Sequence, residues 1–364
     1  MNPYTVIILA TLLVQFVLDF VANCLNLLSL NSEIPPDLIG LYNPERYKKS
    51  QEYTRTTTRF GLLESIFDLG VLLIFWFSGG FEWLDEFVRR TGHSEIVTGL
   101  LYVAALAIGS ALLSLPFQIY STFIIEEKYG FNRTTPRTFI LDRLKGLAIT
   151  AILGGALLAL LLWFFSFAGD KAWLWCWIAS TIFVLIIQFI APVWIMPLFN
   201  KFTPLPDGEL KNAIEHYAQA VDFTFKDISV MDGSKRSSKA NAFFTGFGRN
   251  KRIALFDTLV NEQTLPELLS VLAHEIGHYK KKHVFTMTIA GILQTGVLFF
   301  LLSVFIGNRE LFAAFGMKHI SVYAGLVFFG LLYQPISFLL SIVMHAVSRH
   351  NEFAADRYSV ETGQ

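Results

Sequence analysis

The stretch "VLAHEIGHYKKKHVFTMTIAGILQTGVLFFLLSVF", Val271–Phe305, joins two kinds of chemistry. Its opening sets His274 and His278 four residues apart, with Glu275 between them. On an α-helix, i and i+4 share one face, one turn apart. That spacing suits two imidazole nitrogens at about 2.1 Å from a single Zn²⁺. Glu275 is close enough to serve a water there without filling a coordination position. From Val284 the stretch is an apolar run, and about 20 such residues span roughly 30 Å of hydrocarbon. A water-splitting helix thus leads directly into a membrane span.

The rest of the chain agrees with a membrane setting. Of 364 residues 53% are hydrophobic and only 16% charged, against about a quarter charged in soluble domains. Seven stretches are long and apolar enough to cross: 5–29, 60–80, 97–120, 146–168, 172–198, 284–305 and 321–345. The N-terminal run has no Lys or Arg before Arg46, so it lacks the basic start of a secretory signal and reads as a retained span. Lys plus Arg equals Asp plus Glu at 29 each, which gives no basic surface for nucleic acid. Cys24 and Cys176 lie far apart in apolar runs, which argues against a disulfide framework or a cysteine metal site.

Loops alternate in charge. Segments 30–59, 121–145, 199–283 and the C-terminal tail hold 24 of the 29 Lys and Arg, and the opposite set holds 5. Positive charge gathers on the cytoplasmic side. The N-terminus is therefore expected outside, with segment 199–283 and the C-terminus in the cytoplasm. A bacterial inner membrane is the expected location, rather than the endoplasmic reticulum. Asp19, Glu64 and Asp68 fall inside spans, and Glu64 and Asp68 share one helix face. Carboxylates at that depth face a bundle interior or water, which points to a polar internal chamber.

A third metal ligand is supplied by "HNEFAAD", 350–356. Between His278 and Glu352 lie 74 residues of separation and two spans. One span crosses the membrane and the next returns, so Glu352 is on the same side as His274. Two His and one Glu leave a fourth position open, which is a catalytic arrangement. Asp356, one turn beyond Glu352, is the expected hydrogen-bond partner of a ligand imidazole. The helix start is marked by Thr264, Pro266 and Glu267, a Thr-x-x-Glu capping box. Gly277 costs about 1 kcal/mol in a helix interior, and its use is to admit another backbone or a substrate. Other histidines receive plainer readings: His283 interfacial after "KKK", His216 on a solvated face, His345 and His350 near the site but not ligands. Asn241 opens an expected strand 241–247, joined by the turn "GFGRNK" to a strand 252–256, with an edge that could take up an extended peptide.

Several longer motifs carry a resemblance. "HEIGH", a span pair and "NEFAAD" resemble gluzincin-type zinc peptidases. "NPERYKKSQEYTRTTTRFGLLES" (43–65), "EEKYGFNRTTPRTFILD" (126–142) and "SSKANAFFTGFGRNKRIALFDTL" (237–259) resemble the integral-membrane CAAX prenyl endopeptidases. The resemblance implies seven helices around a water-filled chamber, with zinc at its cytoplasmic opening. It also implies His274, His278 and Glu352 as ligands of one Zn²⁺, Glu275 as general base, and Asn241 near the substrate. Members of that family continue further and supply another active-site histidine, which has no counterpart up to Gln364.

The expected fold is therefore mainly α: a membrane half, 1–200, with five spans, and a small α/β peptidase half, 201–364, with two more. The expected activity is a zinc metalloendopeptidase acting at the bilayer on lipidated CAAX-type or other membrane-associated peptides. The competing readings are a quality-control protease indifferent to prenyl groups, and a non-catalytic lipid- or metal-binding membrane protein.

Overall fold

The computed structural model describes residues 2–31, 33–36, 39–40, 42–245 and 251–363. Six helices are long and apolar enough to cross a membrane: α1 Pro3–Ser29, α2 Pro44–Phe77, α4 Glu95–Glu126, α5 Pro136–Phe167, α6 Gly169–Phe199 and α9 His283–Phe305. A seventh is a bent pair, α10 Val322–Leu332 and α11 Gln334–Thr362, meeting at 53°. Between them come the short helices α3 Gly80–Arg89, α7 Glu209–Ala220 and α8 Leu265–Lys280. Six of the seven apolar runs read from the sequence fall, apart from end residues, in single long helices, and the seventh, 321–345, is divided between α10 and α11.

The helix ends differ from the runs for local reasons. α2 starts well before residue 60 because the Asn43 side chain accepts from the amides of Glu45 and Arg46, and Pro44 fits the first turn. The bend before α11 falls at Pro335, whose ring lacks an N–H and opposes the carbonyl one turn back. Beyond the bend, α11 runs past the apolar stretch to Thr362, so the segment bearing Glu352 and Asp356 is a continuation of a membrane helix.

The chain forms two compact units, each assembled from three separate stretches. The first comprises 1–132, 158–173 and 300–337. Its core is aromatic: Trp76, Phe81, Tyr102, Phe312, Phe315, Tyr323 and Phe328 are all buried. The Trp76 indole donates to the Ala314 carbonyl at 2.8 Å, and the fully buried Asp85 pairs with Arg89 at 2.8 Å.

The second unit comprises 133–157, 174–299 and 338–364. It holds a four-stranded sheet, β1 Phe202–Pro204, β2 Asp227–Met231, β3 Ala242–Thr245 and β4 Arg252–Phe256, in the order β1-β2-β4-β3. β2 and β4 are parallel and the outer pairs antiparallel. β3 and β4 bear out the expected strand pair, while 246–250, the end of the expected first strand and all of its turn but Lys251, falls outside the described residues. α8 presents Leu268, Leu272 and Ile276 at four-residue spacing to Ile253 and Leu255 of β4, all at most 1% exposed. Burying such side chains contributes roughly 1.5–3 kcal/mol each. This packing turns the His274 and His278 side of α8 away from the sheet. Lys251, also buried, sets its ammonium 4.1 Å from the Phe223 ring and 3.9 Å from Tyr279, tying the start of β4 to the last turn of α8 by cation–π attraction.

Gly277 has the use read for it. A Cβ there would lie 3.2 Å from Cα and O of Ala355 and 3.2 Å from Cβ of Tyr358, so the two helices meet backbone to backbone. Ala355 stands between Glu352 and Asp356, and this approach sets the distance of both carboxylates from α8. Gly277→Val is expected to force the helices apart and weaken metal binding by about tenfold or more, as losses of ligand-orienting contacts do. Metal titration beside thermal unfolding of the variant checks it: lowered affinity in a still-folded protein is the expected result.

Candidate metal centre

α8 starts as its sequence demands. The Glu267 carboxylate accepts from the Thr264 amide at 2.8 Å and from its hydroxyl at 2.7 Å. Two turns later His274 and His278 project from one face. α11 lays Glu352 beside them, and among the described residues these three form the candidate metal cluster. Nε2 of His274 is 3.1 Å from Nε2 of His278. Oε2 of Glu352 is 3.4 Å from the first and 3.5 Å from the second. A tetrahedral site with bonds of about 2.1 Å has edges of about 3.4 Å. The three donor atoms thus form one face of such a tetrahedron, and two nitrogens with one oxygen are donors zinc accepts. The residues present fit the ion.

Asp356 accepts from Nδ1 of His274 at 2.8 Å. That bond holds the ring in the tautomer that leaves Nε2 free to bind metal. Both carboxylates are more than half exposed. Glu275 is half-buried and is not among the converging ligands. Burial pushes its carboxyl above the usual carboxylate range, while the adjacent His278 and His274 pull it down.

Asn241 stands at the head of β3, and its side chain accepts from the Ala242 amide at 2.8 Å. Its carbonyl accepts from the Phe256 amide at 3.0 Å. Hydrogen-bonded pairs alternate from there, so the backbone groups of Ala242 and Phe244 point away from β4. β3 is the edge of the sheet and packs against α8. An open strand edge therefore runs along the helix that bears the histidines.

His283 is the first residue of the span α9, at the border read for it, but its side chain is also engaged: it is 7% exposed, and its Nδ1 lies 3.0 Å from Nδ1 of His278. It also lines a cavity of about 500 Å³ together with His278, Glu352 and Asn351. His216, His345 and His350 are exposed and outside the cluster.

The N-terminal part, 24–201, matches the model of the CAAX prenyl protease N-terminal region with five membrane helices, and 204–364 matches peptidase family M48. CAAX prenyl protease 1 of Saccharomyces cerevisiae is 35% identical over 91% of this chain and 79% of its own length. The chain belongs to the CAAX prenyl proteases of peptidase family M48. It is an integral-membrane metalloendopeptidase. The CAAX prenyl protease 1 homolog of Arabidopsis thaliana is 33% identical over 99% of this chain and 87% of its own, and the human homolog 32% over 92% and 80%. The crystal structure of S. mikatae Ste24p superposes with a TM-score of 0.93, covering 99% of this chain and 89% of that one at 33% identity. These relatives are eukaryotic, which leaves the expectation of a bacterial inner membrane without support.

Proposed function

We propose that this chain is a zinc endopeptidase that cuts near the C-terminus of prenylated, CAAX-type peptides, with the ion held by His274, His278 and Glu352. The triangle of donor atoms with edges of 3.1–3.5 Å carries the reading. A bound zinc ion supplies Lewis acidity, polarising a carbonyl and making water acidic near neutral pH. Glu275 takes a proton from the attacking water and returns it to the leaving amine, and its unligated carboxylate supports that role. The substrate backbone pairs with the open edge of β3. Asn241, at the head of that edge, donates from its side-chain Nδ2 to a substrate carbonyl while its Oδ1 accepts from Ala242. Residues 1–200 serve as the membrane half and 201–364 as the peptidase half. Substrate preference follows from the names of the relatives, and it is tested by comparing kcat/KM for a farnesylated CAAX peptide and its unprenylated counterpart on zinc-loaded protein. Equal values would favour a protease indifferent to the lipid.

Orientation follows from the distribution of Lys and Arg. In sealed vesicles with the cytoplasmic face outward, Asp207→Cys is expected to react with an impermeant thiol reagent and Thr91→Cys to be protected. The converse pattern would invert the chain.

A further inference from the structure

The two ligand histidines are held differently. His274 gives its Nδ1 proton to Asp356, a carboxylate. Among the described residues no carboxylate stands at Nδ1 of His278; the ring nitrogen of His283 stands there at 3.0 Å, with the planes crossed at 78°. Metal binding through Nε2 of a neutral imidazole requires the proton on Nδ1. That proton needs an acceptor, and among the described residues Nδ1 of His283 is the one placed to provide it.

The backbone is built to bring this about. In an unbroken helix a residue five positions on would point about 140° away from His278. α8 instead stops at Lys280, and α9 starts at His283. Lys282, between them, has φ 59°, the left-handed region. A non-glycine residue there costs roughly 1–2 kcal/mol and persists only where its surroundings impose it. The break folds His283 back beneath His278 and buries it. Among the described residues nothing hydrogen-bonds Nε2 of His283, so its own proton can sit on that nitrogen and leave Nδ1 free to accept.

We propose that His283 is a positioning residue of the metal centre: it accepts the Nδ1 proton of His278 and so fixes the tautomer and ring angle of that ligand. This rests on His278 being a ligand. The test is zinc affinity of the full chain in detergent, by chelator competition, with the visible spectrum of the cobalt-substituted protein as a second readout. His283→Phe fills the space but cannot accept, and is expected to weaken zinc about 10–100-fold. His283→Asn offers a carbonyl oxygen and is expected to recover most of the loss and the wild-type cobalt spectrum. Should the Phe variant not fold, His283→Leu takes its place. Wild-type affinity in His283→Phe, or equal damage by Asn and Phe, would overturn the proposal. His278→Ala runs alongside: if it too keeps full zinc affinity, the ligand assignment itself has failed, and if it loses zinc while His283→Phe does not, only the role of His283 has.

Discussion

Glu275→Gln is expected to lower the rate of peptide cleavage by about 10²–10⁴, the usual worth of a positioned general acid–base, while zinc stays bound at one per chain. The amide has the shape of the carboxylate but cannot take a proton from water. Nothing else at the site should change, because the three converging donor atoms belong to His274, His278 and Glu352. Folding should not suffer either. Burial already disfavours the Glu275 charge, and the neutral amide removes that cost. Metal analysis and single-turnover cleavage on the same preparation check both halves. Loss of zinc together with activity would make Glu275 a ligand and remove it from the proton-transfer role.

The spans and the candidate metal cluster were legible in the sequence because each rests on a local rule. About twenty apolar residues in a row can do little but cross a bilayer. His274 and His278 declare themselves by i, i+4 spacing, and Glu352 by the parity of two intervening spans. Gly277 was legible as a cost in need of a reason, which the 3.2 Å approach of Ala355 supplies. What stayed hidden depends on partners distant in sequence or on single backbone angles. α3 sits in a stretch read as a loop, and what buries Phe81 and Leu84 is the aromatic core of its unit. The parallel pairing of β2 with β4 joins strands separated by the β3 segment. The contact of His283 with His278 was hidden because nothing in a run of three lysines signals the left-handed Lys282, which turns the next side chain inward. A histidine as the first residue of a span, five after the second histidine of the candidate metal cluster, is the pattern that could have revealed it.

Glu352→Ala is expected to lose more zinc than Asp356→Ala, with both proteins folded. The ordering follows from what each carboxylate touches. Glu352 places Oε2 at 3.4 and 3.5 Å from the two imidazole nitrogens, at the third corner of the donor triangle. Asp356 reaches only the far side of His274, at 2.8 Å from Nδ1. Removing Glu352 takes away a bond to the ion and the one negative charge among its protein ligands. Removing Asp356 leaves all three donors and loosens only the tautomer and angle of one, typically 10–100-fold in affinity or activity. Stability should move little in either variant, since both side chains are more than half exposed and exposed pairs contribute about 0–1 kcal/mol. Both carboxylates share the stretch of α11 that Gly277 admits against α8, so a general displacement of that helix would hurt the two variants alike. Unequal zinc loss in the stated order therefore separates ligation from packing. Full zinc occupancy in Glu352→Ala would hand the third position to another residue, such as His345 or His350, neither of which is among the three converging donors of the described residues.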